Sequence, residues 1–203
     1  CMTKVECIYD IFLSQIDDEL FALLRPEVAR RELHKYLIGA IAKFKTCKKD
    51  LTILGYDFSE MYIDLGESEI EIPENHLEGI EVIGEQTGIE YKKGIDWNLN
   101  TNRIEFEIPM AEPSKIYFYD NGYFEADLTN EEIFILAEGM IFYWLHPKLN
   151  REDNLRQMVT DSDFKKLSGA NMLDKVIKLY EKNKRSFELD VIDYSYNGFG
   201  GFN

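Results

Sequence analysis

The sequence predicts an α+β protein: a helical bundle built from both ends of the chain, with a small antiparallel β domain inserted at about residues 51–128. Three observations lead there. Apolar residues recur every three or four positions through residues 1–50 and again from residue 129, the period of a helix face. Between these stretches the pattern shortens to alternating runs broken by glycine and proline, the texture of strands and turns. At 203 residues, with 45% hydrophobic and 30% charged side chains, the chain is long enough for a packed core and far from a disordered composition.

In residues 1–50, Ile8, Ile11, Phe12, Ile16, Leu20, Leu23 and Leu24 line one helical face. Pro26 suits the first turn of a second helix, whose stripe is Val28, Ala29, Leu33, Tyr36, Leu37, Ala40, Ile41 and Phe44. An antiparallel or kinked pair is expected. From Leu51 the runs Tyr62-Ile63-Asp64-Leu65, Glu69-Ile70-Glu71-Ile72, Arg103-Ile104-Glu105-Phe106 and Lys115-Ile116-Tyr117-Phe118-Tyr119 read as strands. Asp120-Asn121-Gly122 ahead of Tyr123-Phe124 predicts a hairpin, because Asn-Gly accepts the positive dihedrals of a tight turn.

Thr129 followed by Glu132 is a capping box, so a helix starts there. Ile133, Leu136, Ala137, Met140, Ile141, Trp144 and Leu145 form its apolar face, and Pro147 is expected to break or kink it after His146. Residues 149–159 continue as helix or form a short separate one. Asp161 or Ser162 caps the last helix, which carries Phe164, Leu167, Ala170, Leu173, Val176, Ile177 and Tyr180. Lys175, Lys178, Lys182, Lys184 and Arg185 lie toward its later part, where cations favour the helix dipole. The helices of residues 129–193 give way to a tail, 194–203, that mixes aromatics with glycines and has no period. It reads either as a disordered end or as an extended arm docking Tyr194, Tyr196, Phe199 and Phe202 on a neighbouring subunit.

The formal charge of −15, from 23 basic and 38 acidic residues, sets the average surface against nucleic-acid phosphates and anionic membranes. It is unevenly spread. Residues 25–50 hold 8 basic and 3 acidic side chains, whereas residues 51–129 hold 4 basic and 18 acidic. Such polarity suits head-to-tail contact between copies, with Arg30, Arg31 and Lys35 meeting an acidic neighbour; a solvated helix face is the plainer account of them. Cys1, Cys7 and Cys47 make no CxxC pair and no secretory leader pattern is present, so buried or idle thiols in a reducing compartment are expected. Cys1, ahead of Met2, is read as a remnant outside the fold. No apolar run approaches the roughly 18 residues of a membrane span.

Few residues invite chemistry. His34, His76 and His146 sit in unrelated segments without a second metal ligand at helical or hairpin spacing. Glu90-Tyr91-Lys92 has the ExK spacing by which some metal-dependent nucleases hold a cation and steady a nucleophile, with the upstream carboxylate to be chosen from many, Asp57 and Asp64 among them. Gly198-Phe199-Gly200-Gly201 does not lead from a strand into a helix and makes no phosphate-cradling loop. The acidic middle offers calcium ligands, but carboxylates alternating along strands are more often the solvated face. No catalytic residue, cofactor or metal is expected.

The stretch EEIFILAEGMIFYWL from Glu131, SDFKKLSGANML from Ser162, and a last helix ending in tyrosines resemble the head-to-tail connector (neck or adaptor) proteins of tailed double-stranded DNA bacteriophages. Leu136, Ala137, Met140 and Trp144 carry the likeness in the first helix, and Ser162, Asp163, Phe164, Ser168, Ala170, Asn171 and Leu173 in the second. The resemblance implies a structural virion protein with no enzymatic role. Such proteins form rings, commonly of twelve copies, that dock under the portal after packaging, extend the DNA channel, and present a platform to the next neck or tail protein. It places the protein at the portal vertex after assembly in the host cytoplasm. Genomic DNA would pass through the lumen without specific binding, which an acidic chain favours. The β insertion departs from the smallest, all-helical members. Small residues at Ser168, Gly169 and Ala170, with the Asn171 amide, suit close approach of another helix, in a neighbour or within the same subunit. Two other readings stand beside this one: another neck or tail ring, such as a stopper or tail-completion protein, and a metal-dependent nuclease using Glu90 and Lys92.

Overall fold

The computed structural model of the chain describes residues 2–16, 21, 23–72, 79–158 and 168–197. The fold is mixed α+β. Among the described residues the helices are α1 (Glu6–Gln15), α2 (Pro26–Lys43), α3 (Asn130–Met158) and α4 (Ser168–Asn197). The strands are β1 (Thr3–Lys4), β2 (Ile53–Leu54), β3 (Asp57–Ile63), β4 (Glu69–Glu71), β5 (Gly79–Gly84), β6 (Glu90–Tyr91), β7 (Trp97–Asn100), β8 (Arg103–Phe106), β9 (Ser114–Asp120) and β10 (Tyr123–Phe124). The chain divides into two compact units, one of residues 1–19, 30–52 and 124–203, the other of residues 20–29 and 53–123. The segment 20–29, which the helical stripes assign to the first 50 residues, therefore belongs with the strands.

The first unit is helical because its apolar residues keep a helical period and find partners at the same spacing. Ile8, Tyr9 and Phe12 of α1, Leu33, Leu37 and Ala40 of α2, and Leu136, Ala137 and Met140 of α3 are all buried. α1 and α4 both pack against α3. At Gly139 three helices crowd together: a Cβ there would lie 2.7 Å from the Ala40 Cβ and 3.0 Å from a ring carbon of Phe187. Gly39 similarly lies beneath the Tyr143 ring. Only a residue without a side chain permits these approaches.

Two sequence expectations about this unit are corrected. α3 runs through Pro147 as one helix. The missing N–H and ring clash cost about 3 kcal/mol, but Phe12 meets Trp144 edge-on at 6.5 Å and Phe142 stacks on Tyr180 at 5.0 Å just before the proline. These contacts, each worth about 0.5–1.5 kcal/mol beyond the area they bury, offset that cost, so the helix is not broken there. The last helix, likewise, does not stop at Asp193 but continues to Asn197, so Tyr194 and Tyr196 are helical residues and not part of an extended arm.

The second unit holds two antiparallel sheets, ordered β3-β9-β5-β6 and β4-β8-β7. Alternation is visible in β8, where Ile104 and Phe106 face inward while Glu105 is exposed. Ile63, Ile72, Val82, Trp97, Ile104, Phe106, Met110, Ile116 and Phe118 form one apolar cluster. Trp97 enters it with its indole N–H donated to the Tyr91 carbonyl at 2.8 Å. The expected hairpin at Asn121-Gly122 does not form. β9 is paired on one side with β3, through Asp57 and Asp120, and on the other with β5, through Gly79 and Tyr119, so neither edge is left for β10. Gly122, at φ +80, instead brings the chain against β2, where a Cβ would lie 2.6 Å from the Leu54 carbonyl oxygen.

Gly139→Ala tests the helix crossing. Overpacking costs about 1–3 kcal/mol, against a gain of up to about 1 kcal/mol in helix propensity. The variant is expected to melt about 2–6 °C lower than the parent in a thermal scan followed by circular dichroism.

Candidate functional site

The capping box of α3 is the centre of a buried polar network. Glu132, only 1% exposed, accepts the Thr129 backbone N–H at 2.6 Å on Oε2, and its own N–H reaches the Thr129 hydroxyl at 3.3 Å. The second half of the network comes from distant sequence. Lys49 Nζ donates to the same Oε2 at 2.7 Å and to the Asp127 carbonyl at 2.6 Å, and the Tyr194 hydroxyl donates to Oε1 at 2.7 Å. The Cys47 sulfur lies 4.0 Å from both Glu132 Oε1 and the Tyr194 hydroxyl, and the Tyr194 ring meets Phe44 edge-on at 5.0 Å.

Burial pushes the Glu132 carboxyl up, but the bonds from Lys49, Tyr194 and Thr129 outweigh it and leave the group below its ordinary range. A carboxylate at a helix N-terminus is favoured by the dipole as well. Burial, aided by the adjacent carboxylate, raises the Tyr194 hydroxyl, and burial likewise raises the Cys47 thiol. Both therefore stay protonated at neutral pH. A thiol held neutral in this way is no nucleophile, and the bonds of the network pin distant segments together.

Further along the same helix pair, Glu138 of α3 faces Asp190 of α4, with the Ser186 hydroxyl 3.5 Å from Glu138 Oε1. Burial first, then the hydrogen bond and charge of Asp190, pushes the Glu138 carboxyl up to about 7. Two carboxyls this close share one proton more readily than they ionise together.

The residues singled out in the sequence are dispersed. Arg30 has a side chain 22% exposed and approaches Glu6 at 4.0 Å. Arg31 and Lys35 are exposed on α2, Lys35 bonding Glu32 one turn earlier at 2.6 Å. Tyr196 is 70% exposed near the end of α4, while Tyr194 is turned into the Glu132 network. Ser168, Gly169 and Asn171 lie in the opening turn of α4, but their side chains fall outside the described residues, as do Phe199, Phe202 and His76.

Glu90 and Lys92 are exposed at the β6 edge of the larger sheet, whereas Asp57 and Asp64 lie at the β3 edge. Three strand spacings, about 14 Å, separate these edges, too far for Glu90 and either aspartate to share a cation. No group of three or more side chains able to hold a metal ion occurs among the described residues. Nor is any described helix long and apolar enough to cross a membrane. Compared with known protein families and with curated proteins, the chain matches none.

Sequence reasoning found the Thr129 and Glu132 pair but missed Lys49 and Tyr194, which lie 83 and 62 residues away from Glu132. Glu138 carried one legible signal, an acid among the apolar residues of α3. The exposed apolar side chains Leu189 and Ile192 of α4 were missed because a helical period does not reveal which stripe faces inward.

Tyr194→Phe removes one donor from a buried carboxylate and is expected to lower the unfolding free energy by about 1–3 kcal/mol, read from the urea midpoint. Combining it with Glu132→Gln should give a loss smaller than the sum of the two, because the bond they share is counted twice. Glu138 supplies a pH signature. Its folded-state pKa of about 7 stands above the ordinary 4.5, so the folded protein holds a proton that the unfolded chain releases. Stability should fall as pH rises from about 4.5 to 7 and level off above. Glu138→Gln should flatten that slope and, at pH 8, gain about 1 kcal/mol after allowance for solvent screening, with the gain vanishing near pH 5.

Proposed function

We propose that the protein is a structural virion component, a ring-forming head-to-tail adaptor that docks under the portal of a tailed phage and extends the DNA channel. In this reading the helices from both chain ends form one bundle that makes the ring wall, and the β unit is an insertion in the sequence between them. The observation that carries the proposal is the polarity of the molecule. The second unit holds 17 acidic and 5 basic residues, a net −12 of the total −15, while Arg31, Lys35, Lys43 and Lys45 are exposed on or just after α2. A chain so divided is suited to contacts that repeat from copy to copy, and a strongly acidic surface lets DNA slide past without adhering. The resemblance of residues 131–145 to connector proteins points the same way.

Light scattering of the purified protein, alone and mixed with its candidate portal, tests the proposal. A ring, or a monomer that becomes a ring of about twelve copies on the portal, is the expected result. A strict monomer at every concentration that ignores the portal would overturn it.

A further inference from the structure

We infer that α4 is a proton-controlled latch: with one proton shared between Glu138 and Asp190 it stays docked along α3, and when both carboxyls ionise it opens from α3 ahead of the rest of the helical unit. This holds whether or not copies of the chain assemble.

α4 is lightly held. Among its described side chains Phe187 alone is buried, against the Gly139 backbone, whereas α3 buries Ile135, Leu136, Ala137, Met140, Ile141 and Leu145. The other fastenings of α4 are the Tyr180 ring stacked on Phe142 at 5.0 Å, the Thr46 hydroxyl on the Val191 carbonyl at 3.3 Å, and the Tyr194 hydroxyl on Glu132 at 2.7 Å. An element with few buried apolar side chains opens locally, at a lower free energy than the whole domain.

The carboxyl pair sits among these fastenings. Asp190 lies three residues after Phe187 and four before Tyr194, so all three share one face of α4. Glu138 Oε2 is buried without a hydrogen-bond partner, and Oε1 meets the Ser186 hydroxyl at a long 3.5 Å. A proton on either carboxyl supplies the missing donor; without it, two like charges face each other across the helix contact. The docked helix accordingly holds the Glu138 proton up to about pH 7, against an ordinary 4.5. A proton that the docked state keeps and the open state gives up favours docking at low pH, and the gain is lost as pH rises through about 7.

The groups acting on Glu138 are Asp190 and Ser186, both on α4. On the other elements packed against α3, Glu6 and Asp10 of α1 and Lys43 of α2 are exposed, as is Lys45 in the loop that reaches Val191, while Lys49 is held by Glu132 and the Asp127 carbonyl. His34 of α2 titrates too, but burial lowers it, so its effect on stability has the opposite sign.

Hydrogen exchange of the intact protein, read by mass spectrometry and corrected for the intrinsic rate at each pH, tests the latch. At pH 8 the α4 amides should exchange faster than those of α1, through an opening that low urea barely accelerates because it exposes little surface. At pH 5 they should be about fivefold better protected, the shift being discounted for the solvent that reaches the pair. Glu138→Gln and Asp190→Asn each set a permanent amide donor between the two groups, and both should give that protection at pH 8 and flatten the pH dependence. Equal protection of α1 and α4 at pH 8 overturns the latch, as does a pH slope in both variants as steep as the parent's.

Discussion

A carboxylate taken out of water has to be compensated or the fold does not persist, and Glu132 is the carboxylate around which the helical unit is organised. Its compensation comes from three parts of the chain: the Thr129 N–H at the start of its own helix, Lys49 from beyond α2, and Tyr194 from the last turns of α4. Removing any one leaves the charge short of a partner. The ends of α2 and α4 are thereby tied to the beginning of α3, and Thr46, donating to the Val191 carbonyl at 3.3 Å, adds a second tie between the loop after α2 and α4. The position of α4 follows from these ties.

Packing refines what the network holds. Gly139 and Gly39 let α2 come close to α3, and aromatic contacts on either side of α3 support it where it runs unbroken through a proline. The Glu138 and Asp190 pair lies in the contact between α3 and α4, adding a proton-dependent element beside the Tyr194–Glu132 bond. Beside this the β unit is built differently. β9 takes partners on both sides, and a cluster rich in Ile, Phe and Trp fills the interior while carboxylates such as Glu69, Glu71 and Glu105 stand in water. Arg103 spans two of them, at 3.1 and 3.0 Å. The acidic excess of this unit is a solvated surface of the fold.

Among the described residues no group of three or more side chains is placed to hold a metal ion. α2 and the residues just after it turn Arg31, Lys35 and Lys45 outward, the residues of the β unit carry most of the acidic excess, and the adaptor proposal draws on that division.

By itself the sequence determined what depends on near neighbours. The α+β class follows from period and turn chemistry, and the start of α3 from the reach of Thr129 and Glu132 across a single turn. The segment rich in strands was legible because its alternation spans only a few residues at a time. Tertiary structure decided everything that depends on which surfaces are already occupied. Asn121-Gly122 has the residues of a hairpin, but both edges of β9 are taken by β3 and β5. Tyr194 belongs to an aromatic stretch without period, but Glu132 offers it a buried acceptor and the helix extends to include it. Pro147 reads as a break, but the cost of a lost hydrogen bond is smaller than the packing that holds α3 on both sides. Local pattern fixes what a segment can form, and competition for partners, which no window of sequence contains, selects what it does form.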